Sequence, residues 1–250
     1  MPIEQPIDDL DLPEFAAIAA DFGQNRYGYV VTPNVDHLIR CHDDPKFRAA
    51  YADAAYVLMD SRFLASLLKL TKGVNMKVCT GSDLTAHLFT RVVRPMDQVL
   101  LIGGSETQAK ALATRFGLQS LQHFNPSMGF ITRPRDVEEV LSFIETRSPF
   151  RFCLLAVGAP QQEFIAQMLK ARGRARGLVL CIGASINFLT GVEKRAPRWM
   201  QRASLEWAYR LAQDPARLAR RYLVRGPRIF SLLRKIRLVQ RNPTAASAPR

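Results

Sequence analysis

From residue 27 onward, short apolar runs alternate with longer stretches in which apolar positions recur every three or four residues. The runs at 27–32, 55–59, 77–79, 98–102, 152–157 and 178–182 read as strands buried on both faces, because their apolar character is continuous rather than alternating. The stretches at 45–54, 62–70, 83–93, 106–116, 135–147 and 161–171 are predicted helices, and a shorter one is predicted at 13–22. Such strands separated by helices specify an α/β fold with a Rossmann-like parallel sheet flanked by helices. Each run leads into a turn-like segment: Pro33-Asn34, Asp60-Ser61, Thr80-Gly81-Ser82, Gly103-Gly104-Ser105, Gly158-Ala159-Pro160 and Gly183-Ala184-Ser185. Ligands of these sheets bind at the carboxyl ends of the strands, where loop N–H groups and helix N-termini favour phosphate. The turns are therefore the predicted rim of a site.

Charge changes the picture at the C-terminus. Residues 191–250 hold 15 of the 35 lysines and arginines but only 3 of the 22 acidic residues, and so carry nearly all of the net charge of +13. Trp199, Trp207, Tyr209, Tyr222 and Phe230 are interleaved with those arginines. A basic surface with apolar side chains suits a lipid headgroup layer, and nucleic acid is the competing anionic partner. Helices are predicted at 215–225 and 228–240, separated by Gly226-Pro227. The expected organisation is a catalytic body over 1–194, which should fold without the rest, a basic helical membrane-associating appendage over 195–241, and a tail of disordered composition over 242–250.

The compartment follows from what the chain lacks. Its acidic first residues show no basic and apolar leader, and its longest apolar runs are far short of the ~18–20 residues that cross a bilayer. A cytosolic protein that touches a membrane from one side is expected. Cys41, Cys79, Cys153 and Cys181 form no C-x-x-C pair and read as reduced thiols, while His37, His42, His87 and His123 have no metal-ligand spacing, so no metal site is expected.

Several residues carry candidate chemistry. Asp60 closes a predicted strand at the ligand edge, where it is either a general base or the N-cap of the helix at 62–70. Asn34 either meets a phosphate or sugar hydroxyl or caps the next helix, with Thr32 beside it. Asp43-Asp44 precedes Pro45 at a helix start and complements its dipole. Gly103-Gly104-Ser105 is shaped like a phosphate-binding turn but does not complete G-x-G-x-x-G. Gln161 and Gln162 follow Gly158-Ala159-Pro160, and amides there suit a uracil edge or sugar hydroxyls, while Glu163 suits the helix dipole. An NAD-dependent oxidoreductase and a basic nucleic-acid-binding module both stay open on these residues alone.

A longer set of ordered motifs narrows the choice. Gly158, Pro160, Gln162 and Glu163 form a G-x-P-x-Q-E loop, followed by Gly183, by Phe188 to Gly191, and by Arg195-Ala196-Pro197-Arg198-Trp199. Leu205-Glu206-Trp207-Ala208-Tyr209-Arg210-Leu211, Asp214-Pro215-Ala216-Arg217-Leu218 and Arg220-Arg221-Tyr222 complete the run. With Thr32-x-Asn34, Asp60 and Gly81-Ser82-Asp83-Leu84 upstream, the chain resembles the WecG/TagA/CpsF family, glycosyltransferase family 26.

The resemblance implies an inverting, metal-independent transferase that needs no cofactor. Its expected partners are a UDP-sugar donor (a hexose or N-acetylhexosamine), a polyprenyl-diphosphate-linked saccharide acceptor and the anionic inner face of the bacterial plasma membrane. No nucleic acid is expected, and a homo-oligomer stays open. Asp60 matches the family's proposed base, with Thr32 beside it in catalysis. Asn34, Gly81, Asp83, Gly103 and Gly104 are expected to bind substrate, as are Gly158, Gln162, Glu163 and Gly183. Arg210, Arg217, Arg220 and Arg221 are expected to face the membrane or the diphosphate. The chain departs from the family's usual pattern in Asp60-Ser61, where Asp-Gly is common, and in Val78, where arginine is common.

Overall fold

The computed structural model describes residues 3–241. In chain order its elements are β1 (Ile3–Asp8), α1 (Leu12–Asp21), β2 (Tyr27–Val31), α2 (Val35–Asp43), α3 (Pro45–Ala52), β3 (Tyr56–Val57), α4 (Arg62–Lys72) and α5 (Gly81–Arg91). They continue with β4 (Val99–Ile102), α6 (Glu106–Phe116), β5 (Leu121–Phe124), α7 (Pro134–Glu145), β6 (Phe152–Leu155), α8 (Gln161–Arg172) and β7 (Gly177–Cys181). The C-terminal part holds α9 (Ser185–Leu189), α10 (Arg198–Arg202), α11 (Glu206–Gln213), α12 (Pro215–Ala219), a π-helical turn (Arg220–Arg225), α13 (Arg228–Leu232) and β8 (Ile236–Arg241).

Six strands form one parallel sheet in the order β3-β2-β7-β6-β4-β5. Alternate strand residues enter two cores, one on each face. Tyr29, Val31, Leu100, Ile102, Cys153 and Val179 join α2, α3, α7 and α8. Val30, Val99, Leu101, Phe152, Leu154 and Leu178 join α1, α5, α6 and α9. Burial on both faces explains why these strands read as unbroken apolar runs. All four cysteines are buried free thiols. The chain returns through β6 and β7 to fill the gap between β2 and β4, and this reversal leaves a crevice at the carboxyl ends of the central strands.

Several expected elements need correction. Residues 77–79 are extended but join no ladder; Cys79 N–H donates to Met59 O at 2.9 Å and Lys77 N–H to Asp9 Oδ1 at 2.8 Å. α2 was foreseen only through its cap, Asn34, and was given no range, while β5, an edge strand whose four residues are all only half-buried, was not foreseen. The helix expected over 228–240 ends in α13, and the chain then forms β8, which pairs in parallel with the equally unforeseen β1. Asp8 is buried at the carboxyl end of this pairing, opposite Arg241. Its carboxylate accepts from Val57 N–H at 2.6 Å and from two Arg241 nitrogens at 2.7 and 3.1 Å. Ile229, Leu232, Leu233 and Ile236 are all buried in the larger core. The tail at 242–250 lies outside the described residues.

Candidate active site

The carboxyl ends of β2, β3 and β7 and the loop after β6 converge on a cavity of about 660 Å³, a size typical of small-molecule sites (~300–1,000 Å³). Thr32 and Asn34 reach it from β2, Asp60 from β3, Gly158 and Gln162 from beyond β6, and Gly183 from β7. Gly81 contributes from the first turn of α5. Glu206, Trp207, Arg210, Arg221, Tyr222 and Phe230 enclose the cavity from the C-terminal segment.

Asp60 is held from two sides. Its N–H donates to Pro33 O at 3.1 Å, and its Oδ1 accepts from Gly81 N–H, the first residue of α5, at 2.7 Å. The competing role of helix cap belongs to its neighbour: Ser61 Oγ accepts from Leu64 N–H at 3.1 Å and caps α4. The Asp60 carboxyl is thus left to the cavity. Burial pushes its pKa up to about 6, with Glu206 adding to the rise, while the Gly81 amide, Arg210 and Asn34 oppose it. A group poised there is ionised at neutral pH yet still basic enough to take a proton from a hydroxyl.

Asn34 does cap its helix, with Oδ1 accepting from Asp36 N–H at 3.1 Å and His37 N–H at 3.3 Å. The same oxygen accepts from Arg221 Nη2 at 3.2 Å, which ties the C-terminal segment to the end of β2. Arg221 also approaches Asp36 at 3.9 Å. Arg210 lies over the Phe188 ring, 5.6 Å from its centroid. His37 is buried below, its Nδ1 3.3 Å from Thr32 O and 3.0 Å from the Tyr51 hydroxyl. Burial and then Arg221 push its pKa down to about 4, so the ring is neutral at pH 7.

Other expected residues do not line this cavity. Asp83 is taken up by ion pairs: Arg195 binds one carboxylate oxygen, while Arg62 at 3.1 Å and the Thr80 hydroxyl at 2.8 Å donate to the other. Burial opposes its ionisation, but these partners outweigh it and hold Asp83 below the usual carboxylate range. Gly103 and Gly104 follow the carboxyl end of β4 but do not line the cavity. Gly103 has φ +90°, and a Cβ there would meet the Ala156 backbone at 3.0 Å, so this glycine serves strand packing. Glu163 lies behind Gln162, wholly buried. Arg220 is exposed outside the cavity, and the Arg217 side chain lies outside the described residues. Asp44 caps α3 as expected of an acidic residue before Pro45, and Asp43 pairs with Arg228 at 2.8 Å. Among the described residues, no group of three or more His, Cys, Asp or Glu side chains is placed to hold a metal ion.

A family model described as the Glycosyl transferase WecG/TagA/CpsF family matches residues 2–243. The chain belongs to that family. It is a glycosyltransferase with a role in cell-surface polysaccharide biosynthesis, and its substrates are a sugar donor and an acceptor. Residues from distant stretches of the matched region, 32–63, 80–82, 158–188 and 204–230, meet in this cavity. His37 and Glu206, which also line the cavity, were not expected as site residues. No short motif marks His37, and Glu206 stood in a quoted run without a role. Trp207 and Tyr222, quoted in those motifs without a role, pack against one another with ring centroids 6.0 Å apart at the cavity.

Proposed function

We propose that this glycosyltransferase moves a hexose or N-acetylhexosamine-type sugar from a UDP-sugar to a polyprenyl-diphosphate-linked saccharide, with inversion and without a metal. The observation that carries the reading is Asp60: a carboxyl freed from helix capping, raised to about 6, on the wall of a cavity that also receives Arg210 and Arg221. In the proposed step Asp60 takes the proton of the acceptor hydroxyl as its oxygen attacks the anomeric carbon. The bond from that carbon to the diphosphate oxygen breaks, and UDP leaves with the electron pair. Arg210 and Arg221 offset the charge that develops on the diphosphate, the role a cation would otherwise fill. Thr32 and Asn34 would hold substrate beside the base, and Gln162 would hydrogen-bond the donor.

The C-terminal segment then has two tasks: closing the cavity and holding the protein at the anionic inner face of the plasma membrane, where the acceptor resides. Arg198, Arg202, Arg220, Arg234 and Arg237 are exposed, as are Trp199, Leu223, Val224 and Phe230. Among the described residues no helix is long and apolar enough to cross a membrane, so association would be peripheral.

Thermal unfolding with UDP, NAD or an oligonucleotide, each after EDTA treatment, tests the donor class. UDP should raise the melting temperature while the other two leave it unchanged. Stabilisation by NAD alone, or a UDP effect that vanishes with EDTA, would count against the reading.

A further inference from the structure

Gln162 offers the cavity one amide whose orientation is fixed from behind. Its Oε1 accepts from Gly183 N–H at 2.9 Å, and its Nε2 donates to Glu163 Oε1 at 2.9 Å. An amide has two donor hydrogens and two acceptor lone pairs. One of each is spent inside the protein, so one hydrogen and one lone pair remain for a ligand. Glu163 itself is 0% exposed, and its Oε2 has no hydrogen-bond partner among the described residues. A buried carboxyl kept in that condition needs a reason beyond the helix dipole, which an exposed glutamate would serve equally well.

We propose that Glu163 is the positioning residue for Gln162, fixing from behind the cavity wall which edge of the amide meets the donor. The inference rests on the proposal that the cavity binds a UDP-sugar. Glu163 works best as a neutral acid. An ionised carboxylate would set an unpaired charge beneath an anionic diphosphate, whereas a protonated one keeps a carbonyl-type oxygen to accept from Gln162.

The surroundings favour the neutral form. Burial pushes the Glu163 carboxyl up to about 7, against the opposing Gln162 bond, the residue's own amide and the Arg40 charge of α2. Tyr29 of β2, Cys41 of α2, Tyr51 of α3 and Cys181 of β7 face it, and all are themselves pushed up by burial, so they stay neutral across this range. A bound dianion would draw a further proton onto Glu163. Asp60, on the wall of the same cavity, titrates lower, at about 6.

The decisive measurement needs no ligand. In the ¹⁵N spectrum of the free protein, the side-chain amide signal of Gln162, assigned by its loss in Gln162→Ala, should move with pH about a midpoint near 7. The movement should be absent in Glu163→Gln. With UDP as the probe at pH 8, Glu163→Ala should weaken binding at least tenfold, and Glu163→Gln, which keeps an acceptor oxygen, should recover most of that loss. A Gln162 signal that stays still from pH 5.5 to 8.5 in the wild-type protein would overturn the proposal, even if neither variant folds. So would UDP binding by folded Glu163→Ala at wild-type strength. If the signal titrates but the wild-type protein binds no UDP, the positioning role stands and the donor assignment falls.

Discussion

At the residue level, position alone placed Asp60, the proposed base, at the ligand edge of the sheet, and it does line the cavity there. What the sequence left open was its competition with capping, which Ser61 resolves by taking the cap. Glu163 and Gly103 were misplaced for the opposite reason. A residue at the start of a helix or turn near a strand end can face the crevice or the core, and one sequence does not encode that rotation. Asp60→Asn should keep the fold and UDP binding while lowering turnover by ~10²–10⁴-fold, the range for removing an acid–base group. In the wild-type enzyme, kcat/KM should fall about tenfold per pH unit below about 6, since protonated Asp60 cannot act as base. Stability should run the other way. Both Asp60, raised to about 6, and Glu163, raised to about 7, bind protons more tightly in the folded than in the unfolded protein. Their linkage therefore lowers stability as pH rises from about 4 to 7. Asp60→Asn should accordingly melt at a higher temperature than wild type at pH 7. Unchanged turnover would leave Asp60 without the role of base.

At the level of elements, the central sheet was readable because burial on both faces writes itself as apolar runs. The edges were not. β5 is half-buried throughout, and β1 and β8, which form a separate two-stranded ribbon, show neither a continuous apolar run nor a regular alternation. The stripe of Ile229, Leu232, Leu233 and Ile236 has helical spacing and is buried as a stripe should be, yet the helix ends at Leu232, before its last two members. Long-range pairing with β1, over two hundred residues away, outweighed local periodicity there. Arg241 joins the two ends of the chain through Asp8, which is 2% exposed, and also donates to Ala54 O at 2.9 Å. Arg241→Ala leaves a buried carboxylate with the Val57 amide and no counter-charge, a change that costs about 3–5 kcal/mol in comparable pairs. The expected readouts are a matching drop in the denaturation midpoint and faster amide exchange in β1. A loss under about 0.5 kcal/mol would mean the ribbon contributes little to holding the C-terminal segment.

For the whole molecule, the polarised charge was the plainest feature of the sequence, and the structure gives it an anchor at each end. Arg195 holds Asp83 where the segment leaves the body, and Arg241 holds Asp8 where it returns. The segment is thus a strap across the cavity, which bears on how membrane association should be tested. Deletion from residue 195 onward would remove Ile229, Leu232, Leu233 and Ile236 from the core, each worth about 1.5–3 kcal/mol of burial against a typical total stability of about 5–15 kcal/mol. The truncated body should therefore express as insoluble or poorly folded protein, and its failure to bind a membrane would say nothing. Point changes on the strap's exposed side separate the roles. Leu223 and Val224 are 59% and 66% exposed and sit next to Tyr222, which lines the cavity, so their replacement costs the fold little. The double change Leu223→Glu, Val224→Glu removes two apolar contacts and adds two negative charges to a surface where each basic residue contributes about 1 kcal/mol of attraction to an anionic leaflet. It should lower cosedimentation with phosphatidylserine vesicles at least tenfold, while the melting temperature and UDP binding stay at wild-type values. Transfer to a lipid-linked acceptor in vesicles should fall in step with binding, and transfer to a detergent-dispersed acceptor should not. Vesicle binding at the wild-type level in this variant would move the membrane contact away from the strap's rim.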